Sequence, residues 1–94
     1  MVTIGLLHMD FSIPGSRSLK DKRRAMNSLK ERLRNRFNCS VAEMDSEEKW
    51  GRARVAACVI STDSAHVHEQ LMEIVRFSST HHATEMMDYS IETF

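Results

Sequence analysis

"VTIGLLHMDFSI", residues 2 to 13, is the stretch that decides the fold. Its second half alternates large apolar side chains with polar ones: Leu7, Met9, Phe11 and Ile13 against His8, Asp10 and Ser12. A period of two is typical of a strand with one buried face. Pro14 and Gly15 then suit the middle of a type II turn, and Ser18 with Asp21 three residues later indicates the start of a helix.

The rest of the sequence predicts two helices and three further strands. The predicted first helix covers residues 19–37, where apolar side chains recur on one face (Leu19, Met26, Leu29, Leu33 and Phe37) and Asn38 is a left-handed stop. "CSVAEM" (39–44) and "RARVAACVIST" (52–62) predict a β-hairpin around the acidic loop 45–51. Asp63 or Ser64 caps a second helix that ends near Phe77, with an inner face of Val67, Leu71, Ile74, Val75 and Ser78. In residues 84–94 a last strand alternates Met87, Tyr89 and Ile91 with Asp88, Ser90 and Glu92.

This order, βαββαβ, predicts a single ferredoxin-like α+β domain over residues 1–94, with two helices on one face of a four-stranded antiparallel sheet. The other sheet face is expected to be open. Strand alternation assigns it Ile4, Leu6, His8, Ala56, Cys58 and Ile60. These side chains are apolar enough to suggest a covering partner, of which a homodimer partner is the simplest.

The first helix carries a concentration of positive charge. "SRSLKDKRRAMNSLKERLRNRF", residues 16–37, holds nine Lys or Arg against two acids, a local charge of +7 in a chain whose formal net charge is zero. The remaining residues must therefore carry −7. We expect an electrically polarised molecule, which the neutral total conceals.

Local helix energetics do not explain this charge. Lys20 and Arg24, like Lys30 and Arg34, are like-charged i,i+4 pairs, and cations near a helix start oppose the helix dipole. An anionic partner would explain it, and a nucleic-acid backbone fits a row of cations at helical spacing. The candidate contacts to structured RNA are Arg17, Lys20, Arg23, Lys30, Arg34 and Arg52. Free N–H groups near Ser16 and Ser18 could hold a further phosphate.

Two other interpretations of the basic helix stay open: a solvated surface, and a homo-oligomeric interaction module in which the helix meets an acidic surface of another copy. The acids available for that contact are Glu43, Asp45, Glu47, Glu48, Glu69 and Glu73. The glycine-and-aromatic signature of RNA-recognition sheets is absent, so any RNA is expected to bind by backbone and shape. Trp50 is the one aromatic allowed as a contact, although a partly buried anchor fits it as well.

Nothing in the sequence favours an enzyme. The five histidines lack metal-ligand spacing, and no nucleophile elbow, phosphate loop or paired-carboxylate motif occurs. Cys58 and His8 are conceivable neighbours on the open face, but no third group is in view to orient them. Cys39 and Cys58 fit neither a disulfide scaffold nor a zinc site. We expect no metal, no cofactor, no membrane partner and a cytoplasmic location, because no membrane span or signal-peptide pattern is seen.

Four segments resemble the YlxP-like family of small bacterial proteins, a domain of unknown function: "IPGSRSLKDKRR" (13–24), "LKERLRNRFNCSVAE" (29–43), "WGRARVAACVIS" (50–61) and "DYSIE" (88–92). The resemblance implies the same ferredoxin-like fold and carries over no catalytic residue. Genes of the family often lie beside those for a translation initiation factor and ribosome-binding factor A. That neighbourhood implies a role around translation or ribosome assembly. The stretch "RFSSTHHATEM" (76–86) departs from the family's expected charge.

Overall fold

The computed structural model describes residues 1–44 and 49–94. Its elements run in the order β1 (Thr3–Ser12), α1 (Leu19–Arg36), β2 (Ser40–Glu43), β3 (Arg52–Ser61), α2 (Ser64–Ser79) and β4 (Glu85–Thr93). The strands form one antiparallel sheet in the order β2-β3-β1-β4. Both helices cover the same face. The predicted ferredoxin-like βαββαβ fold is confirmed.

The core lies between the helices and one sheet face. From β1, Leu7, Met9 and Phe11 are fully buried, as the alternation in residues 2–13 predicts. The helices contribute the buried stripes expected of them: Met26, Leu29 and Leu33 from α1, and Val67, Leu71, Ile74, Val75 and Ser78 from α2. Leu19 and Phe37, also predicted for this face, are half-buried at the ends of α1.

Gly5 of β1 lets α2 approach the sheet closely. A Cβ atom at this position would lie 2.5 Å from Val67 Cγ1 and 2.6 Å from Leu71 Cδ1, well inside van der Waals contact. Only the absence of a side chain allows these two residues to pack directly on the strand. Gly5 therefore allows α2 to pack directly against β1.

Two details at the ends of α1 differ from the sequence prediction. Ser16 N donates to Ile13 O at 3.0 Å, closing a turn over Pro14 and Gly15. No residue of 1–44 or 49–94 has a positive φ, so this turn is not type II, which needs one at Gly15. Asn38 is not a left-handed stop for the same reason. The helix ends instead at Phe37, which is already extended (φ −124°) because the chain enters β2 three residues later.

The predicted alternation in β4 is partly wrong. Ile91 lies opposite Leu7 and packs against the core, as expected. The pairing with β1 then shifts between Asp10 and Phe11, so that Met86 instead of Met87 lies opposite Phe11. Met86 packs against the core and Met87 is exposed. An irregularity in the ladder inverts the faces of the residues before it, which a period of two cannot anticipate.

No helix in the described part of the chain is long and apolar enough to cross a membrane.

Candidate nucleic-acid interface

The first turn of α1 uses its own polar groups to close the helix. Ser18 is the N-cap, and its Oγ accepts from Asp21 N at 3.1 Å. Asp21 Oδ2 in turn accepts from Arg17 N at 3.0 Å. Together with the bond from Ser16 N to Ile13 O, three amides of this segment are already satisfied. The predicted phosphate site on N–H groups beside Ser16 and Ser18 therefore has three of its donors already used by the helix cap and the turn before it.

Four of the nine cations of residues 16–37 hold the fold together. Lys22 is buried, and Lys30 Nζ lies 3.1 Å from Glu43 Oε1 in an ion pair between α1 and β2. Arg34 donates through Nη2 to the backbone oxygen of Val41 at 3.0 Å. The Arg36 guanidinium lies 5.1 Å from the ring centre of Phe77 on α2. Lys30, Arg34 and Arg36, in the second half of α1, thus fasten the helix to its neighbours.

The cations at the helix start behave differently. Arg17, Lys20, Arg23 and Arg24 are all exposed. Among residues 1–44 and 49–94, none of the four side chains makes a hydrogen bond or an ion pair. We call them the helix-start cluster. Lys20, Arg23 and Arg24 are i,i+3 and i,i+4 neighbours, with Cβ atoms about 5–6 Å apart, so their charges form one patch.

The structure separates the six sequence-predicted contacts into three groups. Arg17, Lys20 and Arg23 belong to the helix-start cluster, whereas Lys30 and Arg34 already have partners on β2. Arg52 is exposed and lies opposite Ser12, at the same end of the sheet as the helix start. It alternates with buried Ala53, so its side chain belongs to the open face, away from α1. Arg52 and the cluster therefore share an end of the molecule but not a face.

Sequence reasoning did not select Arg24. The available signal was the like-charged i,i+4 pair Lys20–Arg24, which is unfavourable for an isolated helix. In the structure Arg24 also borders a groove of about 430 Å³ between α1 and the α2–β4 loop. Ser16, Ser28 and His82 contribute polar groups to this groove. The cluster therefore adjoins a depression as well as open surface.

His81 is buried beside this groove. Its ring lies 4.8 Å from that of His82, centre to centre, and neither of its nitrogens has a hydrogen-bond partner of normal geometry. Burial lowers the pKa of His81, and His82 and Arg32 act in the same direction, while the backbone of Ala25 opposes them. The ring is therefore held neutral at ordinary pH.

The acids that would meet the helix in an oligomer are partly engaged. Glu43 is paired with Lys30, and Glu73 with Arg76 in its own helix. Glu69 is exposed. The predicted acidic contacts Asp45, Glu47 and Glu48 lie outside the described residues. Trp50, at the end of the β2–β3 connection, is 51% exposed, as expected of a partly buried side chain.

Outside the helix-start cluster, polar side chains gather in a pocket on the open sheet face, which is lined by His8, Asp10, Arg54, Asp88 and Tyr89. Within residues 1–44 and 49–94, no three His, Cys, Asp or Glu side chains form a group suited to a metal ion. Cys39 and Cys58 are free thiols. Burial raises the pKa of Cys39, with Arg34 acting against the shift and Cys58 adding to it, so this thiol is a poor nucleophile at neutral pH. His8 Nε2 lies 3.2 Å from Glu92 Oε1.

Comparison with known proteins identifies the family. The model of a family described as "Protein of unknown function (DUF503)" matches residues 4–91. The chain belongs to the DUF503 family. One relative is "Uncharacterized protein YlxP" of Bacillus subtilis (strain 168), 26% identical over 74 residues, which are 79% of this chain and 80% of the relative. The resemblance to YlxP-like proteins is confirmed.

Solved structures similar to this DUF503 chain include designed proteins. The de novo designed protein Foldit4 covers 100% of the chain and 97% of its own length with a TM-score of 0.57 and 11% identity. The de novo designed protein Ferredog-Diesel is 16% identical, with a TM-score of 0.49 over 95% of this chain and 83% of its own. At 11% identity, the likeness to Foldit4 shows the fold alone.

Proposed function

We propose that this DUF503 chain is a cytoplasmic, non-enzymatic protein that binds structured RNA, on a ribosomal subunit or its precursor, through the phosphate backbone. The helix-start cluster makes the principal contact. The observation that carries the proposal is that the side chains of Arg17, Lys20, Arg23 and Arg24 are exposed together and have no partner within the described residues. Lys22, Lys30, Arg34 and Arg36 stabilise the domain itself, and these four do not.

Without a ligand, the position of the cluster lowers the stability of the helix. Arg17 and Lys20 lie at the positive end of the helix dipole, where a cation is disfavoured by about 0.3–1 kcal/mol. The like-charged pair Lys20–Arg24 adds about 0.2–0.5 kcal/mol of repulsion. Surfaces that are charged only for solubility mix both signs and avoid such costs. Neutralisation by phosphates, with release of their counterions, supplies a favourable term that offsets them.

The mode of binding follows from what surrounds the cluster. The first turn of α1 offers charge and no exposed aromatic ring, so it contacts phosphates rather than stacking on bases. Arg24 extends the patch into the groove that also contains Ser28 and His82. A nucleic-acid backbone bound to the cluster can continue into this groove around the helix. Such contacts select a backbone geometry more than a sequence.

The other predicted residues take lesser parts in this proposal. Lys30 and Arg34 would have to exchange their contacts with β2 for a phosphate. Arg52, at the same end but on the open face, would meet RNA only if the backbone wraps around the tip of the sheet. We therefore expect the cluster to dominate the electrostatic part of the affinity.

The test is the salt dependence of binding to a structured ribosomal RNA fragment, followed by fluorescence anisotropy. Four phosphate contacts predict a slope of log K against log salt of about −3 to −4, and Arg23→Ala should make it less steep by about 1. Arg76→Ala is the matched control, because it removes an exposed, ion-paired Arg from the other helix. It should leave the slope within error of the wild type.

Two results would overturn the proposal. One is the absence of RNA binding at low salt. The other is a slope that Arg76→Ala and Arg23→Ala change equally, which would mean that only the net charge matters. If Arg23→Ala leaves RNA binding unchanged but dissociates an oligomer, the homo-oligomeric interaction module is the correct function instead.

A further inference from the structure

The open face of the sheet is arranged in rows that run across the strands. Because the strands pair in register, residues directly opposite one another share a row and a face. The first row, at the amino-terminal end of β1, is Phe94, Ile4 and Ile60; the next are Glu92, Leu6, Cys58 and Ser40, then Ser90, His8, Ala56 and Ala42, then Asp88, Asp10, Arg54 and Met44, and finally Glu85, Ser12 and Arg52. The six residues predicted for this face are confirmed as its centre.

The two ends of the open face differ in polarity. Ile60 and Phe94 are 60% and 68% exposed, and Ile4 between them is half-buried, so the first row is an exposed apolar strip. The last two rows carry charged side chains, and in the first of them Arg54 Nε donates to Asp10 Oδ1 at 2.7 Å between side chains that are 59% and 38% exposed. The face therefore has an apolar end and a charged end.

From this order we infer that the open face is the contact of a two-fold homodimer whose axis runs parallel to the strands, between β1 and β3. Rotation about this axis places each row against the same row of the partner subunit, with the order of the strands reversed. Ile4 then meets Ile60 of the partner subunit, and Asp10 meets the partner's Arg54. The alternative two-fold axis in the plane of the sheet, perpendicular to the strands, would press the apolar row against the charged one.

Charge complementarity supports a second copy as the occupant. Arg54 lies on β3, to one side of the proposed axis, and Asp10 and Asp88 lie on β1 and β4, to the other. The two-fold rotation exchanges the sides, so each subunit's cation faces acids of the other. Both copies of every contact form at once, as in any isologous interface.

The size of the face is also adequate. Four strands at about 4.8 Å spacing and seven residues of β1 at about 3.4 Å each give an area near 20 Å by 20 Å. Two subunits thus cover about 800 Å² in plane, and the relief of the side chains brings this towards the roughly 1,000 Å² of a specific interface. We expect a reversible dimer with a dissociation constant in the micromolar range or weaker.

The proposed dimer does not depend on RNA binding, but it would determine where the two RNA-binding clusters lie. The charged rows of both subunits lie at the end of the sheet where β1 ends and α1 begins, and the helices lie on the outer faces. Two helix-start clusters would consequently point to the same end of the dimer, without taking part in the interface.

The first test is sedimentation of the full chain from about 1 µM to about 500 µM, a range suited to interfaces of this size. The mass should rise from 10.8 kDa towards twice that value. Ile60→Asp should remain monomeric throughout. Ala65→Asp adds the same charge to exposed surface on α2, on the other side of the sheet, and should dimerise like the wild type.

Charge exchange gives a second test that a loss of folding cannot imitate. Asp10→Arg and Arg54→Asp should each be monomeric, because each sets like charges against each other across the axis. A one-to-one mixture of the two variants should form a heterodimer. Asp10→Arg has arginine at both positions 10 and 54, and Arg54→Asp has aspartate at both, so opposite charges then face each other across the axis. A monomeric wild type, a dimer that survives Ile60→Asp, or a mixture no more dimeric than its components would each refute the inference.

Discussion

Replacing Gly5 by alanine tests the packing on which the fold depends. The added Cβ would lie 2.5 Å from Val67 Cγ1 and 2.6 Å from Leu71 Cδ1, and both residues are fully buried, so α2 must shift or repack. Overpacking of this kind costs about 1–3 kcal/mol. Alanine returns about 0.5–1 kcal/mol by reducing the freedom of the unfolded chain. The net loss should be about 1–2 kcal/mol, a fall in Tm of roughly 4–16 °C.

The chain supplies matched controls for this measurement. Gly15 and Gly51 also have no positive φ, and a Cβ at either would meet nothing within 4 Å. Gly51→Ala and Gly15→Ala should therefore leave stability unchanged or raise it by up to about 1 kcal/mol. Thermal and urea unfolding followed by circular dichroism would give all three values.

A double-mutant cycle identifies the cause of the loss. Val67→Ala destabilises by itself because it removes buried methyl groups, but it also makes room for the new Cβ. In the Gly5→Ala background it should cost at least about 0.5 kcal/mol less than in the wild type. If Gly5→Ala is as stable as Gly51→Ala, or if the two substitutions are additive, α2 does not rest on Gly5 as described.

Three further predictions concern the charged and titrating groups. Lys20→Glu should weaken RNA binding while leaving the free energy of unfolding equal or raising it by about 0.3–1 kcal/mol, because an acid suits the helix start; a loss of stability would contradict this interpretation. Glu43→Gln should cost about 0.5–1 kcal/mol by removing the partly buried pair with Lys30, and in a Lys30→Met background the same change should cost almost nothing. The lowered pKa of His81 means that the unfolded chain binds more protons, so wild-type stability should fall as pH drops below about 6.5. His81→Gln should flatten that dependence, and the exposed His66→Gln should not.

Alternation and helical periodicity were sufficient to predict the fold. The burial of Leu7, Met9 and Phe11 follows from their spacing alone, because a strand with one covered face admits no other arrangement. The ladder irregularity beside Asp10 was not predictable, since it depends on how two distant segments register against each other. Met86 and Met87 consequently exchanged their expected positions.

The charge on α1 was visible in the sequence, but its division into two groups was not. Lys30 and Arg34 are indistinguishable from Arg23 on a helical wheel, since all three lie on one flank of the apolar face. What separates them is β2, which lies beneath the second half of the helix and offers Glu43 and the Val41 carbonyl. A contact between segments seven or more residues apart requires the tertiary structure to be seen.

Co-sedimentation with purified ribosomal subunits at low salt tests the central claim most directly. The proposal predicts that the wild type pellets with a subunit and is released at high salt, because phosphate contacts are displaced by counterions. Charge reversal of Lys20 and Arg23 to glutamate should keep the protein in the supernatant while its circular dichroism is unchanged. The proposal is contradicted if the wild type stays in the supernatant, or if the charge-reversed protein pellets equally well.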